Sequence, residues 1–253
     1  MNEMTPIFQT ASGALYQGAC ENVLQSLPAD SVDLLLTDPP YSSGGMTRSD
    51  RNQKTSAKYR TSDALKYYPE FAGDNRDQLS YTVWCAEWLR DALRIVRPGG
   101  TAIVWTDWRQ IAATHISLQL GGWVLRGICT WDKTEGARPQ LGRFRNQCEF
   151  ALWATKGPAP TQGAALPGVF RKAIIGKEKR HIAGKPVDVL AQLLRICPPG
   201  GVVLDPFFGS GSTGVACEMT GRRWIGVEIE PEYIEVSRAW LQEPRGITLP
   251  ETG

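Results

Sequence analysis

The chain has 253 residues, 42% hydrophobic and 21% charged, with a net charge of +2, which supplies apolar material for a packed core and excludes a disordered tail. No apolar run is long enough to span a bilayer, and the first 20 residues hold no Lys or Arg to open a secretory signal. Six scattered cysteines without a C-x-x-C pair suit a reducing cytoplasm and exclude a zinc ribbon, and with only His115 and His181 as histidines no metal is expected.

In chain order, "SVDLLL" (31–36) is a short apolar run ending at "TDPPY", the pattern of a buried strand. Residues 42–76 are polar and without periodicity, and predict a long, mobile loop. "QLSYTVWCAEWLRDALRIV" (78–96) has Tyr81, Trp84 and Trp88 at helical spacing, a stripe expected in the core, and "RPGG" (97–100) stops it. A strand over 101–106 and a helix over 108–120 follow. "GWVLRGICTW" (122–131) and "QCEFALWAT" (147–155) predict a hairpin joined by a basic loop, and 156–185 a linker or recognition element. Next come an amphipathic helix (186–197), a strand (201–205), a helix (212–220), a strand (222–229) and a helix (231–242) begun by Pro231. This alternation predicts an α/β fold with a mainly parallel sheet, whose ligands bind beyond the carboxyl ends of the strands. Two strands run into acids there, Asp38 and Asp205.

The small net charge hides a segregation. Residues 1–41 carry five acids and no Lys or Arg, whereas 133–185 carry 11 Lys and Arg against three acids. A basic middle between acidic ends fits a polyanion-binding face or an ordinary solvated surface, and charge alone leaves both open.

"LDPFFGSGSTG" (204–214) contains Gly209-x-Gly211-x-x-Gly214 after a strand and before a helix, with Glu228 at the end of the next strand. Formally this satisfies the dinucleotide fingerprint, with Glu228 on the ribose hydroxyls. Two details oppose NAD. Asp205 at the strand tip would repel a pyrophosphate, and Asp205 to Phe208 separate strand from glycine. A nucleoside with a cationic head, such as S-adenosylmethionine, is attracted instead, with Phe207 as an apolar face.

In "TDPPY" (37–41) Pro39 and Pro40 supply no N–H and hold the chain extended. The corner offers only acceptors, the Asp38 carboxylate and the Pro39 carbonyl, and fits the exocyclic amine of adenine or cytosine. Holding both amine hydrogens frees the nitrogen lone pair for a methyl donor, and Asp38 stabilises the positive charge that develops. Tyr41 can stack on the base.

With these motifs in this order, the chain resembles the DNA amino-methyltransferase family that makes N6-methyladenine or N4-methylcytosine, in its β-class motif order. "TDPPY" matches the catalytic motif and "LDPFFGSGST" the cofactor motif. "WDKTEGARPQLGRFRNQCEFALWATKG" (131–157) is similar to the hairpin segment between them, and "HIAGKPVDVLAQLLRICPPGG" (181–201) to the segment entering the cofactor strand. The resemblance covers most of 15–242. It implies a Rossmann-like methyltransferase fold with circularly permuted motif order: a mainly parallel seven-stranded sheet, one antiparallel hairpin strand and helices on both faces. One catalytic domain over 1–253 is implied, with the loop at 42–76 and a short target-recognition insert at 157–180.

The implied site has Asp38, Pro39, Pro40 and Tyr41 on the target base. Around S-adenosylmethionine stand Asp38, Ala19, Lys185, Asp205, Phe207, Gly209, Ser210, Gly211, Ser212, Thr213 and Glu228. A strand at "ALYQG" (14–18) completes the sheet; there the family often has Gly-Asp, where this chain has Gly18-Ala19 followed by Cys20 and Glu21. The target base of double-stranded DNA must be flipped out of the stack, so basic groups must hold the flanking phosphates. Candidates are Arg48, Arg51, Lys54 and Lys58 after Tyr41, then Arg138, Arg143 and Arg145 in the hairpin loop. Arg171, Lys172, Lys177, Lys179 and Arg180 complete the set. By family habit Asp in the tetrad favours adenine over cytosine. Cytosine-C5 chemistry would need a nucleophilic Cys after Pro, and here the order is Cys197-Pro198. The resemblance implies a solitary methylase of the kind bacteria and phages carry, cytoplasmic and nucleoid-associated, with a homodimer allowed and no membrane partner. A catalytically silent DNA-binding relative, an NAD-linked oxidoreductase, and RNA or protein amine acceptors stay open.

Overall fold

The computed structural model describes residues 4–41, 76–137, 141–159, 163–173 and 184–243. Among these the sheet has nine strands: β1 (Phe8–Gln9), β2 (Gly13–Gln17), β3 (Val32–Thr37), β4 (Val96–Thr106), β5 (Val124–Asp132), β6 (Cys148–Thr155), β7 (Val169–Arg171), β8 (Val202–Asp205) and β9 (Arg223–Glu228). Their spatial order is β1-β2-β9-β8-β3-β4-β6-β5-β7. The inner seven, β2 to β5, are the expected sheet, parallel except for β6, which runs against both β4 and β5. The two additional strands are short edge pieces: β1 pairs antiparallel with β2, and β7 pairs parallel with β5. β7 comes from within the stretch at 157–180 expected to be a recognition insert, three residues of which thus extend the sheet. A two- or three-residue edge strand leaves no period to read, which is why the sequence does not announce either.

Among the described residues six α-helices cover the sheet: α1 (Cys20–Ser26), α2 (Gln78–Ile95), α3 (Ile111–Leu120), α4 (Val187–Leu193), α5 (Ser212–Thr220) and α6 (Pro231–Gln242). Strand residues alternate between two cores. Leu34, Leu36, Ile103 and Trp105 face α4, α5 and α6, while Leu35, Ala102 and Val104 face α1, α2 and α3. Asp77 caps α2 through its carboxylate on the Leu79 and Ser80 N–H groups, and Pro231 opens α6 where its missing N–H costs nothing. The expected helix over 186–197 is α4 followed by a 3-10 turn at Leu194–Ile196, and α3 begins at Ile111 rather than 108.

These connections place the ligand crevice. From β3 the chain crosses to β4 through α2 on one face; from β8 it crosses the other way, to β9, through α5 on the opposite face. β3 and β8 are neighbours, with Leu34 beside Val203 and Leu35 beside Leu204. Strand order therefore reverses between them, and in such sheets the crevice opens beyond their carboxyl ends. Those ends carry Asp38 and Asp205. Among the described residues no helix is long and apolar enough to cross a membrane, and no group of three His, Cys, Asp or Glu is placed to hold a metal.

Candidate active site

The two strand tips are joined directly. Thr37 Oγ1, the last residue of β3, donates to Asp205 Oδ1 at 2.7 Å. The same oxygen accepts the Phe207 N–H at 3.1 Å, and the Thr213 hydroxyl at the start of α5 is a third donor to the carboxylate. Asp205 is 3% exposed, and burial pushes its carboxyl up to about 6 against the pull of those hydrogen bonds. A cation brought beside it would restore the charged form.

Next along the edge, Glu228 ends β9. Its Oε2 accepts the Gly209 N–H at 2.7 Å, and Oε1 accepts those of Ile229 and Glu230, each at 2.9 Å. Three of about four acceptor positions on this carboxylate are thus filled by backbone, leaving room for one hydroxyl without rearrangement. Gly18 N–H donates to the Glu228 carbonyl at 3.0 Å, which brings Ala19, the N-cap of α1, to the same edge. Ser210 is buried in the glycine turn, and Ser212 opens α5.

The glycines of the loop serve packing as much as ligand approach. Gly209 has φ +51° and Gly211 φ +89°, the left-handed region that favours glycine. A Cβ at Gly214 would stand 2.6 Å from the Phe208 ring, and one at Gly226 on β9 would stand 2.5 Å from it. Phe208, stacked 5.0 Å from Trp224, is the wedge around which the turn is shaped. Phe207 points to the other face, edge-on to Trp84 at 5.5 Å and Trp88 at 5.2 Å. Trp88 is core, as expected of the stripe, and Trp84 donates its indole N–H to Glu21 Oε1 at 2.5 Å. Glu21 also accepts from the Cys20 thiol at 3.3 Å, so the acid beside Gly18-Ala19 is engaged with its own neighbours.

On the other side of Thr37 the tetrad leaves the sheet, with Pro39 buried and Asp38 and Tyr41 half-buried. The sequence suggests a bare acceptor at Asp38; the structure shows both its oxygens engaged. Lys185 Nζ donates to Oδ2 and the Tyr41 hydroxyl donates to Oδ1. Lys185 also reaches the Tyr41 oxygen at 3.0 Å and Glu149 Oε2 at 3.3 Å. It lies over the Trp105 and Tyr41 rings, 5.3 and 5.4 Å from their centres. Burial disfavours its ammonium, but Asp38 and Glu149 outweigh burial and hold its pKa above the ordinary lysine value. Burial would likewise lift Glu149, yet Lys185 and Lys133, the latter at 3.2 Å, hold it below the usual carboxylate range. Lys185 thus joins the site through Asp38.

Two further residues complete the corner. Glu149 on β6 bridges Lys133 and Lys185, and Gln110 before α3 donates its side-chain N–H to the Tyr41 carbonyl at 2.9 Å. Glu149 left a trace in the sequence, a lone acid in the apolar run "CEFALWAT". Gln110 left none.

Of the basic candidates, Arg48, Arg51, Lys54, Lys58, Arg138, Lys177, Lys179 and Arg180 lie outside the described residues, as do His181 and the loop at 42–75. Three others are already paired. Arg145 donates to the Glu135 and Ala137 carbonyls, Arg171 pairs with Glu135 at 3.0 Å, and Lys172 with Asp188 at 2.6 Å. Arg143 is exposed, between Leu141 and Phe144, which are each 97% exposed.

A family model described as DNA methylase, of the N6/N4 type, matches residues 32–239. The type II methyltransferase M.HinfI of Haemophilus influenzae is 29% identical over 90% of this chain and 68% of its own. The crystal structure of an M1.HpyAVI–SAM complex aligns with a TM-score of 0.66 and 24% identity over 91% of this chain and all of that one. The cytosine-N4-specific PvuII DNA methyltransferase aligns with a TM-score of 0.67 and 20% identity over 96% of this chain and 90% of that one.

Proposed function

The chain belongs to the N6/N4 DNA methylase family, making it an S-adenosylmethionine-dependent DNA methyltransferase, and we propose that its target is the exocyclic N6 amine of an adenine flipped out of double-stranded DNA. The observation that carries the reading is the 2.7 Å bond from Thr37 to Asp205, because it puts the acceptor corner and the acid of the glycine loop at one end of the sheet. The Asp in the tetrad favours adenine over cytosine by the family habit noted above.

The residues present fit the cofactor. Two buried carboxylates, Asp205 and Glu228, suit a ligand with a cation at one end and hydroxyls at the other, and Phe207 offers an apolar flank; a pyrophosphate would be repelled. Asp205, Phe207, Gly209, Ser210, Gly211, Ser212, Thr213, Glu228 and Ala19 would hold it, with Asp38 at its edge. Bound there, S-adenosylmethionine supplies an electrophilic methyl group on a sulfonium. Asp38 and the Pro39 carbonyl take the two amine hydrogens, which turns the nitrogen lone pair away from the ring. The fixed carboxylate stabilises the positive charge that grows on nitrogen, without solvent reorganisation. Tyr41 stacks on the base, oriented by Asp38 at its hydroxyl and Gln110 at its carbonyl. Flipping costs a few kcal/mol, and phosphate contacts from the basic segments would offset it. Arg143 with the exposed Leu141 and Phe144 suits the gap beside a flipped nucleotide.

Single-molecule sequencing of DNA from cells expressing the protein tests this. N6-methyladenine in one sequence context is expected. N4-methylcytosine would transfer the reading to cytosine, and unmodified DNA from cells with soluble, cofactor-binding protein would overturn it.

A further inference from the structure

Lys185 has three ammonium hydrogens and three acceptors around it: Asp38 Oδ2, the Tyr41 hydroxyl oxygen and Glu149 Oε2. Its side chain is 4% exposed and that of Asp38 is 23% exposed, so an incoming base meets the pair from the Asp38 side. What it meets is an acceptor with a charged donor bonded beside it. We propose that Lys185 donates a hydrogen bond to the ring nitrogen next to the target amine, so that Asp38 and Lys185 together read the amine–ring nitrogen edge of the base. This rests on the reading of Asp38 as the amine's acceptor.

The chemistry follows from what flipping removes. In the duplex the amine donates to a partner oxygen, and the adjacent ring nitrogen accepts a partner N–H. A flipped base loses both bonds, and burying the ring nitrogen without a donor is unfavourable. Asp38 beside Lys185 reproduces the lost pair, acceptor next to donor. Adenine and cytosine both carry this edge. Guanine and thymine carry a carbonyl beside a ring N–H and would set donor against donor. As the amine takes over Asp38 Oδ2, the Lys185 hydrogen that bonded that oxygen turns to the ring nitrogen; Glu149 is a positioning residue that keeps the ammonium paired meanwhile, and Lys133 keeps Glu149 in place. A cationic donor on the ring also draws electron density away from the amine. Its benefit therefore lies in capturing the base and is read in kcat/KM rather than in the maximal rate.

The test uses duplexes in which the target base faces an abasic site, so that base-pair strength drops out. One carries adenine and the other 1-deazaadenine, which keeps the amine and replaces the ring nitrogen by C–H. Wild-type protein is expected to prefer adenine by about tenfold in kcat/KM, the size of a charge-assisted hydrogen bond, with kcat little changed. Lys185→Met should bring that preference close to one, Lys185→Arg should keep part of it, and Glu149→Gln should narrow it through KM. Equal kcat/KM on both duplexes by the wild-type protein overturns the inference, whether or not the variants fold, as does an undiminished preference in Lys185→Met. Should the protein methylate cytosine, the pair is cytosine and 3-deazacytosine, with the same outcomes. Methylation of neither base overturns the amine reading itself and this inference with it, a result distinct from equal rates on a base and its deaza analogue.

Discussion

The two halves of the crevice are built by different means. On the cofactor side the bonds are mostly local: Glu228 is held by Gly209, Ile229 and Glu230, and Asp205 by Phe207 and Thr213, all within one strand–turn–helix–strand unit. On the base side Asp38, Gln110, Glu149 and Lys185 come from four segments spread along the chain and meet as ion pairs and hydrogen bonds. One half is a motif that carries its own geometry; the other is an assembly that exists only once the sheet has formed. The contrast predicts that the halves respond separately to substitution.

Asp38→Ala should give the largest effect. It removes the fixed charge aimed at the amine and leaves the local cofactor unit untouched. Methyl transfer should fall by about a hundredfold or more, while S-adenosylmethionine affinity, measured by calorimetry, falls far less, because Asp38 stands only at the cofactor's edge and Asp205 and Glu228 remain in place. A parallel collapse of cofactor affinity would mean that the halves act as one unit through Thr37.

The same contrast explains what the sequence reveals. The glycine loop and the tetrad are contiguous, so their residue types, order and flanking strands carry enough pattern to locate Asp38, Asp205 and Glu228. Six of the seven inner strands are legible from residue patterns between turn signals, while the seventh, Gly13–Gln17, is expected only through the family resemblance. The pairing of Lys185 with Asp38 spans 147 positions and leaves no local period. Gln110 is equally silent, because a polar residue before a helix usually meets solvent. The glycines mislead in a subtler way. G-x-G-x-x-G suggests ligand approach, yet Gly214 is required by the Phe208 ring, a contact that only the folded turn creates.

Gly214→Ala tests that packing role and should rank second. Its Cβ would lie 2.6 Å from an aromatic ring atom in a buried position, too close for the turn to keep its shape. Overpacking of this kind costs about 1–3 kcal/mol. The denaturant midpoint should drop with little change in slope. Unaltered stability would return Gly214 to the ligand.

A third expectation comes from Asp205. Its carboxyl, pushed to about 6 by burial, is mostly charged at pH 7 and mostly protonated at pH 5. A cationic ligand favours the charged form, so cofactor binding should be strongest above pH 6 and weaken as the pH falls through it. Between pH 7 and pH 5 the loss should be about tenfold. Asp205→Asn should bind more weakly at pH 7 and show a flat profile over the same range. A wild-type profile as flat as that of the variant would remove Asp205 from contact with the cation.

The smallest effect separates basic residues that sequence alone treats as equals. Arg143 is exposed and has no partner among the described residues, whereas Arg145 and Arg171 are committed to the hairpin loop through Glu135. A guanidinium facing solvent can meet a phosphate and release counterions; one already spent on a carboxylate or carbonyl must first give that bond up. Arg143→Gln should weaken DNA binding a few-fold and reduce the slope of log affinity against log salt by about one. Arg171→Gln should leave the slope nearly unchanged and act, if at all, by loosening the loop that carries Leu141 and Phe144. Equal slopes for the two variants would show that DNA draws Arg171 away from Glu135, and that the base side of the crevice reorganises on binding while the cofactor side does not.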